Sequence, residues 1–260
     1  MAILLYYNMS NFIPCRNCAK LEGPFPGYYY IKVGVRKAAY VKECDCHRAW
    51  SEKQNLLRRL KEANVWTDLS YDPDVDYKGT DSLEDVSALK TYVALFEKKY
   101  SDKMIYMFGN NGTQKTTLAM WVARELIKKS HTVLYTLMET LSVSLSPDFK
   151  AEDNSRELFV QKALDVDLLI IDEGFDKSKM TVYKSGYQIP FLDSFLRERF
   201  DIGKKAVVFI SNKTIDSLSS SGFGDSLQSL VARNTNQSSL IFNDVYIKKA
   251  NSIDSKGLFR

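Results

Sequence analysis

A chain of 260 residues, 45% hydrophobic and 26% charged, can bury a sizeable core and reads as a globular protein with one large domain and something small beside it. Its formal net charge of +4 permits nucleic-acid contact without requiring it. No membrane segment is visible: the opening Met1 to Tyr7 run is too short to span a bilayer and lacks the basic start and cleavage site of a secretion signal, so a cytoplasmic location is expected.

All four cysteines fall in the first 46 residues, as Cys15-x2-Cys18 and Cys44-x-Cys46. In a reducing compartment two close thiolate pairs point to one tetrahedral Zn2+ site rather than to disulfides. The β-prone stretches Tyr28 to Val35 and Ala38 to Val41, with a turn between them, predict a zinc ribbon. His47 is an alternative ligand, and an iron–sulfur cluster is the competing metal content. Arg48 to about Asn64 predicts a helix with Leu56, Leu57 and Leu60 on one face and a basic solvated surface elsewhere. Residues 1–64 are thus expected to form the small module. Residues 65–81 carry five aspartates with Pro73 and Gly79, a composition of an exposed linker, and 82–260 form the large domain.

From Ser82, apolar residues at Leu83, Val86, Leu89, Val93 and Phe96 recur at helical spacing behind a capping-box start. The stretch that follows organises the chain. The apolar strand Ile105 to Phe108 runs into the loop Gly109-Asn110-Asn111-Gly112-Thr113-Gln114-Lys115-Thr116-Thr117, and then into an amphipathic helix carrying Leu118, Val122 and Leu126. This is a phosphate-binding loop: backbone N–H groups and the positive helix end surround a polyphosphate, Lys115 neutralises its β/γ oxygens, and Thr116 reaches Mg2+. Gln114 stands where the usual G-x-x-x-x-G-K-[ST] spelling has its second glycine. Either glutamine adopts the required backbone, or the loop is recast with Gly112 relieving it.

Further apolar runs at His131 to Leu137, Val166 to Ile171 and Ala206 to Ile210 alternate with helical segments Leu158 to Leu164, Leu192 to Phe200 and Asp225 to Arg233, and Ser239 to Lys248 reads as a last strand. Such alternation implies an α/β fold with a parallel sheet flanked by helices. The third strand ends in Asp172-Glu173, which the topology brings beside the loop. This is a Walker B pair: Asp172 for the Mg2+ shell, Glu173 to orient and deprotonate the water that attacks the γ-phosphate. Asn212, at the tip of the next strand, is a candidate sensor of that phosphate.

The loop, Asp172-Glu173, Ser211-Asn212 and the cysteine-rich front together resemble AAA+ replicative helicase loaders of the DnaC/DnaI type, including phage-encoded members. Thr136-Leu137-Met138 is similar to their second strand, and Phe195 to Phe200 with Ser211-Asn212 to their sensor region. The resemblance implies an ATPase that uses ATP and Mg2+, assembles as a homo-oligomer in the ATP state and loads a replicative DNA helicase onto single-stranded DNA through its N-terminal module. It also implies an AAA+ core without the C-terminal helical lid. Where the family carries an arginine finger after a serine, this chain has Ser229-Leu230, which leaves Arg233 as first candidate and Arg199 as second. A transposition-helper ATPase and a non-catalytic, nucleotide-switched adaptor are the competing readings. Phe175 to Pro190 is longer than the resemblance implies.

Overall fold

The computed structural model describes residues 13, 16, 19, 27–33, 38–77, 83–146, 154–175, 188–218, 220, 223–235 and 239–242. The chain divides into two compact units, residues 1–59 and 60–260.

In the first unit, strands β1 (Tyr28–Val33) and β2 (Ala38–Glu43) pair antiparallel, with Tyr28 opposite Glu43 and Val33 opposite Ala38. The predicted hairpin is therefore present. Helix α1 (Asp45–Glu62) starts two residues after β2, so Cys46 sits in its first turn rather than in a strand-borne knuckle. Cys44 donates its backbone N–H to Gly27 O at 2.6 Å. Gly27 is required there, because a Cβ would lie 2.6 Å from the His47 ring and its φ of 86° is left-handed. His47 is buried, with Nδ1 2.6 Å from Glu43 Oε1 and its ring against Tyr28.

The second unit begins at the end of α1, which closes in a Schellman motif: Val65 N donates to Leu60 O, Asn64 N to Lys61 O, and Asn64 takes the left-handed conformation at φ 55°. Here the sequence expectation fails. Residues 65–77 are not an exposed linker but part of this unit, and the division falls earlier, after Arg59. Val65, Pro73 and Tyr77 are buried. The aspartates that made the segment look solvated satisfy local amides instead: Asp68 Oδ1 accepts from Ser70 N and Oγ, and Asp72 Oδ1 caps the short helix α2 (Pro73–Asp76) through Asp74 N. Residues 78–81 lie outside the described residues.

Helix α3 (Leu83–Leu95) follows, continuing as a π-turn over Phe96–Tyr100, and buries Val86, Leu89, Val93 and Phe96 as the spacing predicts. Next come β3 (Met104–Gly109), α4 (Lys115–Lys128), β4 (Val133–Leu137), α5 (Met138–Leu145), α6 (Ser155–Asp165) and β5 (Leu168–Asp172). Then α7 (Gln188–Arg197) runs into a π-turn at Glu198–Ile202, followed by β6 (Ala206–Ser211), α8 (Gly224–Thr235) and β7 (Ser239–Phe242). The strands form a five-stranded sheet in the order β4-β5-β6-β3-β7, parallel throughout. Its inner strands read as unbroken apolar runs because helices cover both faces. Side chains from α5, α7 and α8 join Met104, Tyr106, Leu169, Ile171 and Phe209 in one core cluster, and α4 crosses the opposite face. The order sets β6 between β3 and β5, so the end of β6 stands between the glycine loop after β3 and the acid pair after β5.

Arg199 is 1% exposed and donates to four carbonyls, Ala163 O, Leu164 O, Val166 O and Ala206 O, at 2.7–2.9 Å. It pins the turn between α6 and β5 to the start of β6. This role removes it as the second candidate finger, since a cation held by four buried carbonyls cannot reach another subunit. Burial lowers its pKa to about 10, still charged at neutral pH.

Candidate nucleotide site

The loop Gly109 to Thr117 is bent at three positions. Gln114 takes φ 62°, ψ 16°, the left-handed conformation that a glycine would otherwise supply, and is the N-cap of α4. Gly109 and Gly112 also have positive φ, 146° and 84°. Gly112 therefore does not relieve Gln114: both positions take positive φ. Leu118 N donates to Gln114 O at 2.9 Å, which starts the helix and aims its positive end into the loop.

Lys115 is 6% exposed, and its Nζ donates to Gly109 O at 2.8 Å, Asn110 O at 2.7 Å and Thr113 Oγ1 at 3.1 Å. Burial pulls its pKa down to about 8, partly offset by nearby Asp172. Thr116 Oγ1 donates to Asp172 Oδ2 at 2.7 Å, joining the loop to the acid pair across the sheet. Asp172 is buried, and its Oδ1 accepts from Glu173 N at 2.6 Å.

After β5 the chain kinks sharply. Glu173 and Phe175 both have left-handed φ, 54° and 63°. Between them Gly174 N donates to Ile210 O at 2.8 Å, and a Cβ at Gly174 would stand 3.1 Å from that oxygen. The kink leaves Glu173 exposed at the cavity and turns Phe175 fully into the core, against Tyr106, Phe209 and Phe223. Phe175 is thus a core anchor, whereas residues 176–187 of the long segment lie outside the described residues. Ser211 Oγ donates to Gly174 O at 2.6 Å and accepts from Lys213 N, which ties the kink to the end of β6 and leaves Asn212 exposed at its tip.

These groups line one cavity of about 340 Å3: Asn111 to Thr117, Asp172, Glu173, Ile210, Ser211 and Asn212. Gly109 and Asn110 form the base of the loop through the carbonyls that hold Lys115. Arg233 does not line it. It is exposed on α8 and pairs with Asp201 at 3.2 Å, and Leu230, where the resemblance leads one to expect arginine, is buried in the core. Thr116 Oγ1 and Asp172 Oδ2 converge as hard oxygen donors beside a buried lysine, a donor set that fits Mg2+ better than a softer metal.

Tyr135 escaped the sequence reading. Its hydroxyl donates to Asp172 Oδ2 at 2.9 Å from the neighbouring strand β4. The available signal was a tyrosine in an otherwise apolar strand, whose buried hydroxyl needs a partner.

In the first unit Cys44 Sγ and Cys46 Sγ lie 3.1 Å apart. Among the described residues no group of three or more His, Cys, Asp or Glu side chains could hold a metal; Cys15 and Cys18 lie outside them.

The sheet order, the bent loop and the acid pair at the end of β5 give the architecture of a P-loop nucleotide-binding fold. Among solved structures, the crystal structure of DnaI matches with a TM-score of 0.52 and 20% identity over 70% of this chain and 93% of that one. The DnaC helicase loader matches with a TM-score of 0.52 and 16% identity over 71% of this chain and 98% of that one. AMPPCP-bound DnaA from Aquifex aeolicus gives a TM-score of 0.53 and 16% identity over 68% of this chain, which spans 51% of that protein's length. A DNA replication initiation factor gives the same TM-score and identity, with 50% of its length covered. No protein-family model and no curated protein sequence matches the chain. No helix among the described residues is long and apolar enough to cross a membrane.

Proposed function

We propose that this chain is an ATP-hydrolysing loader of a replicative DNA helicase onto single-stranded DNA. One observation carries the ATPase part: Lys115, Thr116, Asp172, Glu173 and Asn212 meet around a single cavity at the end of a parallel sheet. The loader part is supported by fold similarity to DnaI and the DnaC helicase loader, and the DNA part by likeness to DnaA in a structure bound to AMPPCP and single-stranded DNA.

In this reading the β and γ phosphates take over the Lys115 ammonium from the carbonyls of Gly109 and Asn110, while the amides of Asn111 to Thr117 receive the remaining oxygens. Thr116 and Asp172 would hold Mg2+, which when bound would supply positive charge to offset that of the phosphates. Glu173, exposed at the cavity, orients the attacking water and takes its proton; Asn212 holds the γ-phosphate or that water through its amide. Arg233 completes the site of a neighbouring copy in the ATP-bound homo-oligomer. In the N-terminal module, Cys44 and Cys46, whose thiols are neighbours, would hold Zn2+ together with Cys15 and Cys18.

The test separates binding from chemistry. Lys115→Ala should weaken ATP binding, whereas Glu173→Gln should bind ATP normally and lose hydrolysis. Wild-type turnover by Glu173→Gln would remove the catalytic role from that carboxylate. Co-purification with a replicative helicase in an ATP-dependent manner checks the loader part.

A further inference from the structure

Asp172 Oδ2 accepts two hydroxyl hydrogen bonds, from Thr116 at 2.7 Å and from Tyr135 at 2.9 Å. The two donors differ in freedom. Thr116 belongs to the phosphate loop and is the hydroxyl that a metal would recruit, while Tyr135 is buried in β4 and has no such competing task. Its phenol is buried beside the carboxylate, and its O–H has that oxygen as its acceptor.

The backbone of Tyr135 is engaged on the opposite side. Tyr135 N donates to Ala63 O at 2.8 Å, and Asn64 Nδ2 donates to Tyr135 O at 3.4 Å. The Trp66 ring, 66% exposed, meets the Tyr135 ring edge-on with centroids 6.5 Å apart. One residue therefore touches both the carboxylate of the Walker B pair and the stretch by which the chain enters the second unit from α1.

We infer that Tyr135 is a positioning residue of the magnesium–nucleotide site, and that it couples occupancy of this site to the seating of the Ala63–Trp66 stretch. The inference rests on the ATPase reading. The phenol fixes the orientation of Asp172 when Thr116 turns to the metal, and a shift of the carboxylate is transmitted through a rigid ring to the backbone it hangs from, and so to Trp66. Hydrogen bonds that orient metal-holding carboxylates typically matter at the level of about tenfold or more in metal affinity.

The experiment uses the full chain and Tyr135→Phe, which deletes one oxygen and keeps the ring. Two quantities are read: the Mg2+ concentration for half-maximal ATP turnover and for binding of a fluorescent ATP analogue, and the tryptophan emission change on adding Mg2+ and ATP, taken as the difference from Trp66→Phe. Tyr135→Phe should raise the Mg2+ requirement about tenfold, leave analogue affinity without metal unchanged, and abolish the Trp66 response that the wild type shows. An unchanged Mg2+ requirement, or an intact Trp66 response in the phenylalanine variant, overturns the inference. Should Tyr135→Phe fail to fold, Trp66→Ala at an exposed position should raise the Mg2+ requirement at least about twofold, and no change there overturns the coupling. A wild-type chain that neither binds nor hydrolyses ATP at any Mg2+ concentration would instead remove the ATPase reading and this inference together.

Discussion

Gln114 shows how one side chain can be carried by a backbone that suits glycine. A non-glycine residue in the left-handed region costs about 1 kcal/mol, and the phosphate loop stays bent at Gln114 in spite of it. Replacing Gln114 by glycine should raise the melting temperature by roughly 2 °C without loosening ATP, whereas isoleucine should lower it and weaken ATP binding, both measurable by thermal melting with and without nucleotide. Lys115 leads to a pH prediction. Its pKa is lowered to about 8 from an ordinary 10.5, so below pH 8 the folded chain holds a desolvated charge. Between the two values the unfolded chain keeps a proton that the folded chain has released, and this group's unfavourable contribution to stability is relieved as pH rises. Phosphate reverses the shift, because a nearby anion favours the ammonium. ATP binding at pH 8.5 should therefore take up a proton, seen by calorimetry in two buffers of different ionisation enthalpy, and affinity should fall as pH rises past 8. Lys115→Met should show no such uptake.

At the level of elements, much of the second unit was legible because its strands are apolar runs and its helices keep a clear period. The phosphate loop and Asp172-Glu173 could be placed because a parallel sheet delivers strand ends to one edge, whatever the details of packing. The segment at 65–77 was not legible. Its aspartates look solvated, yet they cap local turns, and the contact that docks the segment comes from far away in sequence: Arg124, 4% exposed, donates to Asp68 O at 2.7 Å and Tyr71 O at 2.8 Å from the middle of α4. The tyrosine bond to Asp172 was hidden for a related reason, since it depends on the register of two strands, Tyr135 lying opposite Ile170. Arg124→Met should destabilise the chain by about 2–4 kcal/mol, by leaving two carbonyls without their charged donor. It should also expose residues 65–77 to protease before the rest of the unit. Denaturant melts and limited proteolysis measure both.

For the whole molecule, the cavity is lined by Lys115 and, among the described residues, by no second cation, and in the proposed mechanism a neighbouring copy supplies the one that the developing γ-phosphate charge needs. Arg233 is free to do this at little cost, because an exposed ion pair such as the one with Asp201 contributes less than about 1 kcal/mol. Arg233→Ala should leave ATP affinity intact and reduce turnover by about a thousandfold, and turnover by the wild type should rise with protein concentration. Concentration-independent turnover by a monomer would remove the shared-site mechanism. For the small module, metal analysis of unstripped protein should find one Zn2+ per chain, and serine at Cys44 or Cys46 should release it while ATP turnover by the second unit persists. Four freely titrating thiols would sink that expectation.

Arg199 has a consequence for how the protein breathes. By gathering carbonyls from the end of α6, the entry to β5 and the start of β6, one guanidinium ties together chain segments that would otherwise fray separately. None of them can detach without stranding a buried cation, so local opening at this end of the sheet is replaced by global unfolding. In hydrogen–deuterium exchange the amides of β5 and β6 should be among the last to exchange, and only at the rate of whole-chain unfolding. The sheet would then be clamped at the end away from the cavity, leaving the loop and the kink at Glu173 as the places where motion is concentrated.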